Sequence, residues 1–137
     1  MKRFLVDTNV ALDVLLERQP HFVASAAVWS AIETATAEGY LAAHGITTIY
    51  YLAQKQLGTR RARRVITALL QVFRVAPVDE SVIRDALDHE GNDFEDAVTA
   101  AAARFSKCDA IVTRDPKGFR AAELPVLTPG AAALLVT

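Results

Sequence analysis

The sequence has little of what would staple, anchor or steer a protein. Its one cysteine, Cys108, excludes an internal disulfide and a cysteine-rich zinc site, which fits a reducing compartment. The three histidines, His21, His44 and His89, lie far apart and form no metal-ligand spacing. No apolar stretch approaches the ~18 residues of a membrane span, and no signal-peptide core precedes the first acid, so a soluble cytoplasmic protein is expected. Charge of one sign is not in excess either. The 15 Lys and Arg against 16 Asp and Glu leave a net charge of -1, so any nucleic-acid binding must be local. With no repeat, linker or internal boundary, residues 1–137 read as a single domain.

Apolar material is plentiful. At 137 residues and 52% hydrophobic content, a chain can bury roughly 68% of its unfolded surface without staples. Short apolar runs alternate with helical patterns. Phe4-Leu5-Val6 reads as a buried strand that ends abruptly in Asp7-Thr8-Asn9. Val10 to Leu16 follows as a mostly apolar helix, then a break at Arg18-Gln19-Pro20. The next helix is predicted from about Pro20 to a stop at Gly39, and Tyr40-Leu41-Ala42-Ala43 is a second strand closed by His44-Gly45. A helix opening at Thr47 or Thr48 should end at Gly58. Thr59 then caps a basic helix with Val65, Ile66, Leu69, Leu70 and Phe73 at helical spacing.

A third strand is expected within Phe73 to Val78. Asp79 starts a helix with Val82, Ile83, Ala86 and Leu87 inward, ending near Gly91. Asn92 or Asp93 opens an alanine-rich helix to about Lys107; Ala110 to Thr113 and Val126-Leu127 complete the strands, and Pro129-Gly130 opens a C-terminal helix. Strands separated by helices require crossover connections. The expected fold is therefore α/β, a mostly parallel sheet of four to five strands covered by helices on both faces.

In such a sheet the carboxyl ends of the strands and the amino ends of the returning helices share one edge. Asp7 and Asp115 follow strands one and four, Asp93 and Asp96 open the helix leading into strand four, and Thr48 begins the helix after strand two, so all five should converge there. Such acids repel one another unless a divalent cation joins them, and hard oxygen ligands favour Mg²⁺ or Mn²⁺ over zinc. Each residue also has a plainer role. Asp7 could cap the following helix, Asp93 and Asp96 mimic a capping box, Asp115 before Pro116 suits a turn, and Thr48 suits an N-cap.

Three blocks taken together resemble a known family. Phe4-Leu5-Val6-Asp7-Thr8-Asn9, Asp93-Phe94-Glu95-Asp96-Ala97-Val98 and Ile111-Val112-Thr113-Arg114-Asp115-Pro116-Lys117-Gly118-Phe119 are similar, in order and spacing, to the motifs of the PIN-domain ribonucleases, above all the toxin halves of VapBC-type toxin–antitoxin pairs. The resemblance implies a PIN-like three-layer sandwich and a Mg²⁺-dependent endoribonuclease (Mn²⁺ as substitute) that hydrolyses RNA, often tRNA, to 5′-phosphate and 3′-hydroxyl ends. It also implies a homodimer and a small antitoxin protein as partner.

Carried onto these positions, Asp7 is the central metal ligand, with Asp96 and Asp115 as the second and third. Thr8 or Thr113 would hold a phosphate oxygen or a metal-bound water, and Asn9 would steady Asp7. Many relatives carry a glutamate early in the helix after strand two, where Ile46-Thr47-Thr48-Ile49-Tyr50-Tyr51-Leu52 places Thr48 instead. A second metal site would lose that ligand. Asp93, three residues from Asp96 on the same helix face, is better placed than Glu95 to compensate.

The cluster Arg60-Arg61-Arg63-Arg64 is a candidate phosphate contact, with Lys55, Arg114 and Lys117 nearer the rim. Leu12, Leu15, Leu16, Phe22, Val23 and Trp29 on the first two helices exceed what one face of a small domain hides. They are core in the main, with an antitoxin groove as the family precedent. Two rival functions remain. A haloacid dehalogenase-like phosphatase would need an Asp where Asn9 stands, and a catalytically silent RNA- or antitoxin-binding module would follow from the missing glutamate.

Overall fold

The computed structural model describes residues 1–89 and 93–137. Five parallel strands, β1 (Arg3–Val6), β2 (Glu38–Ala42), β3 (Arg74–Ala76), β4 (Ala110–Val112) and β5 (Val126–Leu127), form one sheet in the order β3-β2-β1-β4-β5. The described residues also form seven α-helices: α1 (Thr8–Leu15), α2 (Phe22–Glu33), α3 (Ala43–Leu57), α4 (Thr59–Val72), α5 (Glu80–Leu87), α6 (Phe94–Phe105) and α7 (Pro129–Val136). None is long and apolar enough to cross a membrane.

Alternation along β1 divides the core. Phe4 and Val6 face a layer of α1, α2, α3, α4 and α7 built on Val10, Leu12, Val28, Ile49 and Leu69. Leu5 faces a second layer whose centre is the run Ala100 to Ala103 of α6. Small alanines let α6 lie close to the sheet, so the molecule has the three layers of an α/β sandwich. Of the apolar residues on the first two helices, Leu12 is buried and Leu15, Leu16 and Trp29 pack partly buried on the core, whereas Val23 is 73% exposed. Cys108 is buried, and that burial pushes its thiol up to about 12, so it is an inert core residue.

Several boundaries differ from expectation for local steric reasons. Helix α2 ends at Glu33 rather than at Gly39, which lies inside β2. A Cβ at Gly39 would stand 2.6 Å from Ile32 Cδ1 and 2.8 Å from Phe73 Cδ1, so this glycine permits helix-on-strand packing and does not stop a helix. Pro20 sits in the turn ahead of α2. Helix α3 opens at Ala43, directly on the end of β2, so His44 and Gly45 belong to its first turn and Thr48 to its second. That close junction depends on Gly45, whose Cβ would lie 2.7 Å from Thr8 Cγ2. Gly58, at φ +85, ends α3 as expected and also precedes α4, so Thr59 is the first helical residue and not the cap; its hydroxyl accepts from Gln54 Nε2 at 3.0 Å.

Asp79 caps α5 through Val82 N at 3.1 Å, and that helix ends at Leu87; the expected end near Gly91 lies outside the described residues, as does Asn92. Leu87 is 68% exposed and Leu70 52% exposed, both turned away from the core.

Candidate active site

The chain fills β1, β2 and β3 outward on one side, then returns to place β4 and β5 on the other. The gap between β1 and β4 is thus the topological switch point, where open α/β sheets bind ligands beyond the strand ends. Val6 pairs with Val112, so Asp7 and Thr113 leave the sheet side by side. The Asp7 amide donates to the Val112 carbonyl at 2.9 Å. Its carboxylate accepts the Thr8 amide at 2.9 Å and the Thr113 hydroxyl at 2.8 Å. Asp7 is therefore the helix cap that its position allows, and its second oxygen is held from β4. Thr113, fully buried, in turn accepts the Asp115 amide at 3.1 Å, which links two of the three expected acids through one hydroxyl.

The third acid arrives from α6. Asp93 caps that helix by accepting the Asp96 amide at 3.2 Å, and Asp96 lies in the first turn, its carboxylate accepting no hydrogen bond among the described residues. A short 3-10 helix, Pro116–Phe119, comes up against it. A Cβ on Gly118 would lie 2.6 Å from Asp96 Oδ2 and 3.7 Å from Asp115 Oδ2, so both carboxylates crowd the same point. Among the described residues, five acids, Asp7, Asp93, Glu95, Asp96 and Asp115, line one cavity of about 250 Å³ with Thr8, Asn9 and Phe119, and no Lys or Arg lines it.

The electrostatics follow. Burial raises the Asp7 pKa above the ordinary carboxylate value, the hydrogen bonds from Thr113 and Thr8 oppose the rise, and Glu95 and Asp115 add to it. Asp96 is pushed up to about 7, by burial first and then by Asp93, Asp7, Glu95 and Asp115. Uncompensated acids in a cleft are an expected mark of a functional site. The donor set is all oxygen, which suits a hard divalent cation. Among the described residues, however, no three His, Cys, Asp or Glu side chains close into a metal-holding group as they stand. They share a cavity without forming a finished cage.

The other expected site residues divide. Thr8 and Asn9 line the cavity, and Asn9 Oδ1 is buried without a hydrogen-bond partner among the described residues rather than bonded to Asp7. Thr48 is not among the lining residues, because α3 begins earlier than expected. Arg114 turns away from the cavity, its Nε on Asp13 at 2.6 Å. Lys117 is exposed and borders an adjoining cavity of about 500 Å³ that shares Asp93, Asp96 and Phe119 with the first. Arg60, Arg61, Arg63 and Arg64 are all exposed, and Lys55 lies over the Tyr51 ring at 4.6 Å.

Two features escape a reading of the sequence. Gly118 is one, and Asp13 is the other, its only signal being an acid inside the apolar run Val10 to Leu16.

The family model described as PIN domain matches residues 3–117. The chain belongs to the PIN domain family. The FitAcB structure from Neisseria gonorrhoeae is 22% identical, with 92% of this chain and 97% of that one covered at a TM-score of 0.70. VapBC2 from Rickettsia felis, bound to a DNA fragment from its promoter, is 12% identical, covering 92% and 98% at 0.70. VapC20 from Mycobacterium tuberculosis, a sarcin-ricin loop cleaving toxin, is 17% identical, covering 79% and 86% at 0.64. No curated protein matches the chain in sequence.

Proposed function

We propose that this chain, acting as one domain over residues 1–137, is a Mg²⁺-dependent endoribonuclease and the toxin of a cytoplasmic toxin–antitoxin pair. The observation that carries the reading is the set of five carboxylates around one cavity at the switch point, with no Lys or Arg lining it among the described residues. Asp7, Asp96 and Asp115 are the residues to hold the ion, with Asp93 beside them. The family and the all-oxygen donors support Mg²⁺, with Mn²⁺ as a substitute. A divalent cation bound there supplies charge neutralisation at the scissile phosphate and acidifies the attacking water.

The chain's own residues do the rest. Thr113 fixes the orientation of Asp7 and of the Asp115 backbone. Burial first, and then the like charge of its neighbours, holds a proton on Asp96, so positive charge arriving in the cavity favours its release. Thr8 and Asn9, which line the cavity at the head of α1, would meet a phosphate oxygen. An antitoxin partner is supported by the toxin–antitoxin complex from Klebsiella pneumoniae that shares this fold, RNA as substrate by the sarcin-ricin loop cleaving toxin, and a homodimer is proposed with them. Incubating Asp7→Asn and wild type with total RNA and Mg²⁺ tests the reading. The expected outcome is cleavage by wild type and a loss of at least about a hundredfold in the variant. Equal cleavage by both overturns it. Wild type that neither binds Mn²⁺ nor cleaves RNA points instead to a silent binding module, and Thr48 lies off the cavity as that reading would have it.

A further inference from the structure

We infer that Asp13 is a positioning residue which, by gripping Arg114, holds the loop after β4 so that Asp115 faces the acidic cavity. Its functional part rests on the nuclease reading above. Asp13 is fully buried near the end of α1. One carboxylate oxygen accepts Arg18 Nε at 3.1 Å, and the other accepts the Ser25 hydroxyl at 3.1 Å and Arg114 Nε at 2.6 Å. Arg18 also reaches back to the Asn9 carbonyl at 3.1 Å, so the same network is fastened to the first turn of α1.

A buried ion network is a weak way to gain stability, since apolar residues of similar volume do as well without the desolvation cost. What this one supplies is a fixed place for Arg114. That residue stands between Thr113, whose hydroxyl is shared by Asp7 and the Asp115 amide, and Asp115 itself. The chain is thus pinned at the Arg114 side chain and at the Asp115 amide, directly ahead of the Asp115 side chain. The carboxylate of Asp115 receives no hydrogen bond among the described residues, so its direction depends on that backbone. Asp13 reaches across 101 positions of sequence to set it. Arg114 spends its Nε–H on this grip, which differs from a guanidinium presented to substrate.

Asp13→Asn, Arg114→Gln and the double variant decide between these roles. Three measurements are needed on each: amide hydrogen exchange over residues 113–119, Mn²⁺ affinity by titration, and RNA cleavage as separate kcat and KM. The expected outcome is faster exchange in the loop, weaker Mn²⁺ binding and kcat lower by about tenfold in each single variant. The double variant should be no worse than the worse single, because both break one contact. KM and the salt dependence of RNA binding should stay as in wild type. Arg114→Lys should remain impaired, since an ammonium restores charge but not the Nε contact.

Unchanged exchange in the loop overturns the grip, whatever the enzyme does. Additive losses, with Arg114→Gln acting on KM and the salt slope, overturn it by making Arg114 a substrate contact. Should Asp13→Asn fail to fold, Arg114→Gln and Ser25→Ala carry the same readouts. A wild type that neither binds Mn²⁺ nor cuts RNA removes the nuclease reading but leaves the exchange result to judge the grip.

Discussion

Asp7, half-buried at the head of α1, and Asp13, fully buried near its tail, are two acids that the chain treats in opposite ways. Asp13 meets two guanidinium groups and a hydroxyl from three separate segments. Asp7 meets one hydroxyl and one amide, and its charged neighbours, Glu95 and Asp115, are of its own sign. Burial penalises an ionised carboxylate in both places, and more so at Asp13, which is fully buried. A carboxylate answered from within the chain is part of the frame, and one left facing its own kind is waiting for charge from outside.

That contrast makes opposite predictions for stability. Asp13→Ala strands Arg18 and Arg114, whose side chains keep 36% and 28% of their exposure. The partial exposure softens the loss to about 2 to 4 kcal/mol, below the full penalty for a stranded buried charge. Asp7→Asn removes a repelled charge and keeps the shape, so in metal-free buffer its Tm should match or exceed that of wild type. Thermal denaturation of both variants checks this. Equal destabilisation by the two would erase the distinction between them.

Titration sharpens the same comparison at smaller scale. Asp96 ionises near its ordinary value of 3.8 when unfolded and at about 7 when folded. Between those values the folded state holds a proton that the unfolded state has released. The resulting stability is fully present below the unfolded pKa and is lost as pH rises through about 7. Without metal, Tm should therefore fall by a few degrees between about pH 5 and about pH 8, and Asp96→Asn should flatten that fall. Mn²⁺ should restore the loss at the higher pH and do little at the lower, where the proton competes for the same oxygens. A Tm profile unchanged in Asp96→Asn would show that the acid cluster does not act through this residue.

How much of this was readable beforehand depends on how far apart the partners lie. The rim was readable: parallel crossover topology sends Asp7 and Asp115 to one edge whatever the side chains do, and capping chemistry sets Asp93 three residues ahead of Asp96. Gly39 was misread because a glycine ending a helical pattern looks the same as one that lets Ile32 and Phe73 approach a strand. Thr48 was misplaced because α3 starts straight off β2, a junction that depends on Gly45 meeting Thr8 from another helix. Asp13 gave almost no signal, since its partners come from Arg18 close by and Arg114 far along the chain. Local pattern locates single acids; only tertiary packing shows which of them is paired.

Gly118→Ala asks the finest version of the question, because it moves a carboxylate without altering any charge. The backbone at Gly118 lies outside the left-handed region, so alanine meets no conformational penalty there, and losing the freedom of glycine in the unfolded chain favours the fold. Its methyl group would nevertheless sit 2.6 Å from Asp96 Oδ2, closer than van der Waals contact allows, so Asp96 must turn. Tm should hold or rise while Mn²⁺ affinity drops by about threefold to tenfold, roughly 1 kcal/mol. Losing affinity while keeping stability would show that Asp96 matters for where its oxygens stand. Unaltered Mn²⁺ affinity would mean that the ion takes its ligands from Asp7 and Asp115 without it.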